Sequence, residues 1–154
     1  MTEERLDIIE ETISLPYRWS VGPVGTRFLE GLKHKKILGT RCPQCRRTLV
    51  PARTFCPRCF VDLNDWVDLP DHGTLRSYTI VNYTFAGQPM PPPYIIGIIV
   101  LDGADVGFTH FVGGVDLSDF DKAAERLGQN TAVRAVWREQ RVGRITDIEH
   151  FEPA

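Results

Sequence analysis

The chain has 154 residues, of which 42% are hydrophobic and 25% are charged, and this composition is that of an ordinary globular protein with room for a core. No apolar run reaches the ~18 residues of a membrane helix, and the acidic first residues lack the apolar stretch of a signal peptide. The sequence therefore predicts a cytoplasmic protein without a membrane span, while the net charge of −2 excludes no class of partner.

The predicted N-terminal helical segment covers residues 1–36. From Glu3 to Ser14, Leu6, Ile9 and Ile13 recur at the spacing of one helical face, which predicts a first short helix. A second short helix is predicted to begin near Thr26 as its N-cap. It directs three apolar side chains inward: Phe28, Leu29 and Leu32.

Between these helices, residues 15–23 contain two prolines that interrupt helical structure, together with Tyr17 and Trp19. Leaving side chains of this size in water is unfavourable, so we expect the segment to pack against something. Two surfaces fit this role, the body of the chain itself and another subunit.

All four cysteines of the chain lie in two CxxC pairs, Cys42 with Cys45 and Cys56 with Cys59. Cytoplasmic thiols stay reduced, which favours metal binding over disulfides. Tetrahedral zinc takes four thiolates, and each CxxC turn supplies two of them. The ten residues between the pairs are fewer than the usual ~15–20, but the arrangement is of the same kind. The sequence predicts a zinc ribbon over residues 37–66 whose metal is structural, because four ligands leave no open position.

The ribbon is also predicted to be strongly basic. Residues 33–58 contain no Asp or Glu, whereas the rest of the chain carries 10 basic and 20 acidic residues. Even after the −2 of a four-thiolate zinc centre, this segment keeps a charge of about +6. Such a field suits an anionic ligand or an acidic partner. The basic residues are Lys33, Lys35, Lys36, Arg41, Arg46, Arg47, Arg53 and Arg58.

After Trp66 the pattern changes to strands, and residues 67–154 are predicted to form a five-stranded barrel. One helix, from Ser118 to Leu127, lies between the third and fourth strands, which is the arrangement of the OB fold. A flat sheet of five strands also fits the pattern, but it would leave an exposed edge, and Gly97 favours a sharp bend and closure. The predicted strands are Thr74–Phe85, Tyr94–Leu101, Val106–Val112, Thr131–Arg138 and Arg144–Phe151.

These features together resemble the zinc-ribbon/OB-fold proteins of the DUF35 type. The residues that carry the resemblance are Tyr17-x-Trp19-Ser20-Val21-Gly22, Phe28-Leu29-x-Gly31-Leu32, Cys42-x-x-Cys45, Pro51, Cys56-x-x-Cys59 and Gly73. The resemblance implies a mainly β protein with N-terminal helices, a rubredoxin-like zinc ribbon and an OB barrel. It also implies an accessory subunit that joins a thiolase-like enzyme, such as a thiolase, an aldolase or a benzoylsuccinyl-CoA thiolase, in a hetero-oligomer and helps to hold acyl-CoA.

If coenzyme A binds, its phosphates need cationic side chains, and the eight basic residues of 33–58 are the candidates. Phe108 and Phe111, with Gly107, are candidates for lining the acyl or pantetheine path. We expect no catalysis by this chain alone, because no cysteine remains as a nucleophile and the four histidines show no metal-ligand spacing.

The alternative function is single-stranded nucleic-acid binding, since OB barrels stack bases on aromatic side chains along basic grooves. The barrel offers several aromatic residues, but the net charge of −10 outside the basic segment opposes a groove that follows a phosphate backbone. A third interpretation is a structural bridge that orders a partner without touching its substrate.

Overall fold

The structure is a computed structural model and describes residues 8–11, 13 and 15–154. Two helices and eight strands occur among them, and no helix of this part of the chain is long and apolar enough to cross a membrane. In chain order the elements are α1 (Gly22–Lys33), β1 (Ile37–Arg41), β2 (Thr48–Leu49), β3 (Asp65–Leu69), β4 (His72–Val81), β5 (Tyr94–Leu101), β6 (Phe108–Val112), α2 (Phe120–Arg126), β7 (Thr131–Trp137), a 3-10 turn (Ile145–Asp147) and β8 (Ile148–Pro153).

The N-terminal part departs from the prediction. Most of the first predicted helix lies outside the described residues, and those within it that are described, 8–11 and 13, have no regular secondary structure. The second helix, α1, begins at Gly22 and not at Thr26, because Pro23 in the first turn is already set to a helical φ. The Thr26 hydroxyl instead donates to the carbonyl of Gly22 at 2.7 Å.

The ribbon contains a three-stranded sheet with β1 between β2 and β3. Thr40 in β1 is fully buried, and its hydroxyl is satisfied by one residue of the loop between the two CxxC pairs. The hydroxyl oxygen accepts from the Arg53 amide at 3.0 Å and donates to the Arg53 carbonyl at 3.1 Å. This pair of bonds attaches that loop to the sheet.

The five remaining strands form a closed barrel in the order β4-β5-β6-β8-β7, which confirms the OB prediction over the flat sheet. Closure comes from a parallel contact of β6 with β8 at Val112 and Phe151 and from the pairing of β4 with β7. Gly97 points into this barrel, where a Cβ would come within 2.6 Å of Leu75 and 2.7 Å of Val112. A bulge in β4 between Leu75 and Ser77 lies opposite the same part of β5.

The helix α2 lies between β6 and β7 as predicted, but its N-cap is Asp119 and not Ser118. The Asp119 carboxylate accepts from the amides of Asp121 and Lys122 at 3.1 and 3.2 Å. Ala123 and the C-cap residue Leu127 are both buried at 1% exposure, and Leu127 joins the main hydrophobic core.

A buried carboxylate organises the loop between β7 and β8. Asp147 is 1% exposed, and its oxygens accept from the amides of Val142, Gly143 and Arg144 at 3.1, 2.7 and 3.2 Å. Burial alone would raise the pKa of Asp147, but these three donors and the nearby Arg141 guanidinium hold the pKa below its ordinary value.

We expect Asp147→Asn to lower the free energy of unfolding by about 1–3 kcal/mol at neutral pH, because an amide cannot accept all three bonds. The native carboxylate stabilises the fold fully above its unfolded pKa of about 4 and loses this effect as the pH falls through the lower folded pKa. Urea unfolding at pH 7 and at pH 3 tests this prediction. The difference between the wild type and the variant should shrink at the lower pH, and an equal difference at both values would contradict it.

Candidate metal centre

The four cysteine sulfurs of the two CxxC pairs form one cluster. All of them lie within 4.8 Å of one another, and the sulfurs of Cys45 and Cys56 are 3.8 Å apart. A tetrahedron with Zn–S bonds of about 2.3 Å has edges of about 3.8 Å, so the cluster has the size of a four-thiolate zinc sphere. The predicted zinc-ribbon site is confirmed.

Each pair forms the same knuckle. In the first, the Cys42 amide donates to the Arg47 carbonyl at 2.9 Å and the Arg46 amide donates to the Cys42 carbonyl at 2.9 Å. In the second, Cys56 has the matching bonds with Val61 at 2.9 Å and Phe60 at 2.8 Å. The residue after each second cysteine has a positive φ, 64° at Arg46 and 55° at Phe60, which turns the chain back toward the metal.

The donor chemistry of the cluster fits a soft divalent cation. Burial opposes ionisation of Cys42, but the amides of Cys45 and Gln44 donate to its sulfur and lower its pKa to about 6. Burial and contact with the other three sulfurs raise the pKa of Cys59 to about 12. Without metal the cluster therefore favours a thiolate at Cys42 and a thiol at Cys59, and a bound zinc ion would displace the remaining protons and offset half of the four thiolate charges.

The ribbon is joined to the barrel by Asp105, in the turn between β5 and β6. The Asp105 carboxylate accepts from the Thr48 amide at 2.8 Å, and the Asp105 amide donates to the Thr48 carbonyl at 2.9 Å. The Arg47 guanidinium also donates to the Asp105 carbonyl at 3.2 Å. Sequence analysis did not identify this role of Asp105, since a contact over 57 residues leaves no local pattern.

Four of the eight basic residues are engaged within the protein. Arg47 reaches Asp105, and Arg41 donates to the Thr48 hydroxyl at 3.3 Å. Lys33 pairs with Glu30 at 3.4 Å and Lys36 with Asp68 at 3.3 Å. Within the described part of the chain, four have no side-chain hydrogen bond or ion pair: Lys35, Arg46, Arg53 and Arg58.

The two candidate aromatic residues of β6 lie on opposite faces. Phe108 is 2% exposed and packs edge-on against Phe151 inside the barrel, with ring centroids 6.2 Å apart, so its side chain is part of the core. Phe111 lies on the outer face and is half-buried. There it lines an apolar pocket of about 190 Å³ together with Ile96, Thr109, His110, Ile145 and Thr146.

An open groove of about 740 Å³ runs along α1, and Arg27, Glu30 and His34 are among its lining residues. The Arg27 guanidinium stacks over the Trp66 ring at 4.1 Å from the centroid. Sequence analysis did not single out Arg27, because it lies outside residues 33–58. The available signal in the sequence was that Arg27 lies three residues before Glu30, which places both side chains on the same face of the helix.

Two family models match the chain in succession. The rubredoxin-like zinc ribbon domain of ChsH2 matches residues 29–65, and the C-terminal OB-fold domain of ChsH2 matches residues 66–138. No curated protein matches the chain.

Two solved structures share the fold. A DUF35 family protein of unknown function from Sulfolobus solfataricus is 24% identical, with a TM-score of 0.59 over 86% of this chain and 87% of that one. A chain of a structure described as the Ltp2-ChsH2(DUF35) aldolase is 19% identical, with a TM-score of 0.62 over 88% of this chain and 98% of that one. At these identities the likeness concerns the fold.

Proposed function

Because this chain belongs to the ChsH2 family of DUF35-type zinc-ribbon and OB-fold proteins, we propose that it is a non-catalytic accessory subunit of a thiolase-like acyl-CoA enzyme. The ribbon and barrel models together match residues 29–138 without a gap. In the similar aldolase structure, a ChsH2 protein accompanies a second protein, Ltp2. A partner of the thiolase or aldolase class is the counterpart proposed for this chain, and the benzoylsuccinyl-CoA thiolase type is one such enzyme.

The observation that carries the non-catalytic role is the closed sulfur cluster. All four thiols of the chain lie within it, so each would be a metal ligand and none would remain as a nucleophile. Four sulfur ligands also fill the coordination sphere of zinc and leave no position for a substrate. The partner therefore supplies the reacting groups, and this chain supplies surface and rigidity.

We further propose that this chain contacts the phosphates of acyl-CoA with the cations that the fold leaves free. Arg46 and Arg58 occupy the two zinc knuckles, and both side chains are exposed. The hydrogen bonds of each knuckle fix the backbone beneath its cation, which reduces the entropy lost on binding an anion. Phe111, beside the apolar pocket on β6, is the aromatic candidate for the acyl or pantetheine end, while Phe108 has a packing role.

Calorimetry with acyl-CoA and three samples, this chain, its thiolase-like partner and their mixture, tests the proposal. We expect tight binding only by the mixture. Arg46→Gln with Arg58→Gln should weaken that binding about tenfold or more, because each charged hydrogen bond contributes about 1.5–3 kcal/mol. Lys122→Gln on α2 is the control, with a cation far along the chain from both knuckles. Equal binding by the partner alone would contradict the ligand role.

Single-stranded nucleic-acid binding remains the second candidate because of one observation. Tyr83 and Phe85, in the loop between β4 and β5, are exposed and have ring centroids 5.8 Å apart, so they could stack bases. The outer face of β5 and β6 beside them is apolar, with Ile98 at 43% exposure. Oligonucleotide binding at two salt concentrations discriminates between the functions, since tight and steeply salt-dependent binding would favour this one.

A further inference from the structure

An apolar segment without a packing partner precedes α1. Its described residues have no regular secondary structure. Six of its large apolar side chains are 77–85% exposed, a concentration that the rest of the described chain does not repeat. They are Ile8, Ile9, Ile13, Leu15, Tyr17 and Trp19.

The exposure of these six side chains indicates that the segment binds another molecule. Single apolar residues on a surface are common, but a contiguous set of them marks an interaction site. Tyr and Trp each bury about 150–250 Å² when they pack and are enriched among the residues that dominate interface energies. The loss of water contact on binding would therefore be large for Tyr17 and Trp19.

The charges of the segment argue against a membrane. Glu10 and Glu11 lie among the isoleucines and are exposed, and with the exposed Arg18 they give the described segment a net charge of −1. Segments that bind anionic lipid surfaces carry Lys and Arg at such positions, since each cation adds about 1 kcal/mol of attraction. Two adjacent carboxylates favour a protein surface with a basic rim.

The same charges argue against a second copy of this chain. The groove along α1, with a volume of about 740 Å³, is an open site on the described surface, but its cations already have partners. Arg27 is stacked on Trp66, and His34 lies 3.3 Å from the carboxylate of Glu30, which also pairs with Lys33. The groove thus offers little free positive charge to Glu10 and Glu11.

We propose that residues 8–21 are a docking arm that binds an apolar, basic-rimmed groove on the thiolase-like partner. This inference rests on the proposed function and names the surface through which the complex forms. Ile9 and Ile13 are four residues apart, so they would share one face if the arm becomes helical on binding. Gly22, with a φ of 69°, is the joint at which the arm turns into α1.

Titration calorimetry with the purified thiolase-like partner tests the arm. Tyr17→Ser combined with Trp19→Ser should weaken binding at least about 100-fold, as expected when two central aromatic residues of an interface are removed. The melting temperature of the free chain should not change, because both side chains are exposed. Val142→Ser, at a side chain that is 66% exposed outside the arm, is the matched control and should bind like the wild type.

Hydrogen exchange of the complex gives a second readout, in which the amides of residues 8–19 should become protected. Equally tight binding by the wild type and the double variant would overturn the inference of a docking arm and leave the proposed function intact. No binding by the wild type would overturn both. Concentration-dependent self-association of the wild type that the double variant loses would assign the arm to a second copy and overturn the inference.

Discussion

Cys56→Ser is expected to abolish stoichiometric zinc binding and to unfold the knuckle region of the ribbon. Structural zinc contributes roughly 10–16 kcal/mol of apparent binding free energy in small zinc-binding peptides, as much as the whole stability of an ordinary domain. The apolar core around the cluster is small, since among the described residues only Leu49 and Leu63 are buried beside Cys42 and Cys56. Burial of so few apolar side chains cannot supply the free energy of folding that the metal contributes.

Metal analysis by mass spectrometry, on protein purified without chelators, should find one zinc per wild-type chain and less than about 0.2 in the variant. Hydrogen exchange should show lost protection over the two knuckles. Gln44→Ser is the control, because Gln44 is exposed in the first knuckle and supplies no sulfur. Full zinc content in Cys56→Ser would contradict the four-thiolate site.

Gly73→Ala is expected to lower the free energy of unfolding by about 3 kcal/mol or more, the upper range for overpacking a core. A Cβ at Gly73 would overlap the carbonyl oxygen of Val100 and lie 2.6 Å from the Cα of Leu101. These are backbone atoms of β5, so they cannot move aside as a flexible side chain does. Gly73 also pairs with Val133 of β7, so β4 cannot shift away from β5 without disturbing that pairing.

Thermal unfolding measures this effect, and 3 kcal/mol corresponds to a fall in melting temperature of about 6–12 °C for a chain of this size. Gly128→Ala provides the comparison, because a Cβ there would lie 3.6 Å from the nearest atom, an ordinary contact. We expect the control to change stability by no more than about 0.5 kcal/mol. A Gly73→Ala protein as stable as this control would refute the close approach of the strands.

The zinc site could be predicted in full because its information is local. Each knuckle needs two cysteines three positions apart, and the four-thiolate sphere then accounts for all of them. The barrel strands were also predictable, because alternation along β6 shows which side chains are buried. Gly97, a residue unsuited to a strand, correctly indicated a closed barrel.

The errors of prediction have physical causes. The start of α1 was placed at Thr26 because a threonine is a common N-cap, whereas Pro23 allows the helix to begin earlier. The engagement of four basic residues could not be read from residues 33–58 alone, because partners such as Asp68 for Lys36 lie elsewhere in the chain. Phe108 was assigned to a ligand path, although alternation along β6 also places it inside the barrel with Val112.

Long-range contacts could not be read from the sequence. The Asp105 link between barrel and ribbon and the Asp147 carboxylate beneath its loop each depend on the folded arrangement of the backbone. Asp105 directly precedes the predicted strand Val106–Val112, and Asp147 lies within the predicted strand Arg144–Phe151, which the structure begins with a 3-10 turn. The same limit applies to Arg27, whose stacking on Trp66 joins α1 to the strand β3.

Native mass spectrometry of the protein copurified from its source organism tests the accessory-subunit role most directly. We predict a hetero-oligomer that contains this chain, one zinc ion per copy of it and a thiolase-like subunit. Isolation of this chain by itself, or bound to nucleic acid, from cells that contain thiolase-like proteins would contradict the role.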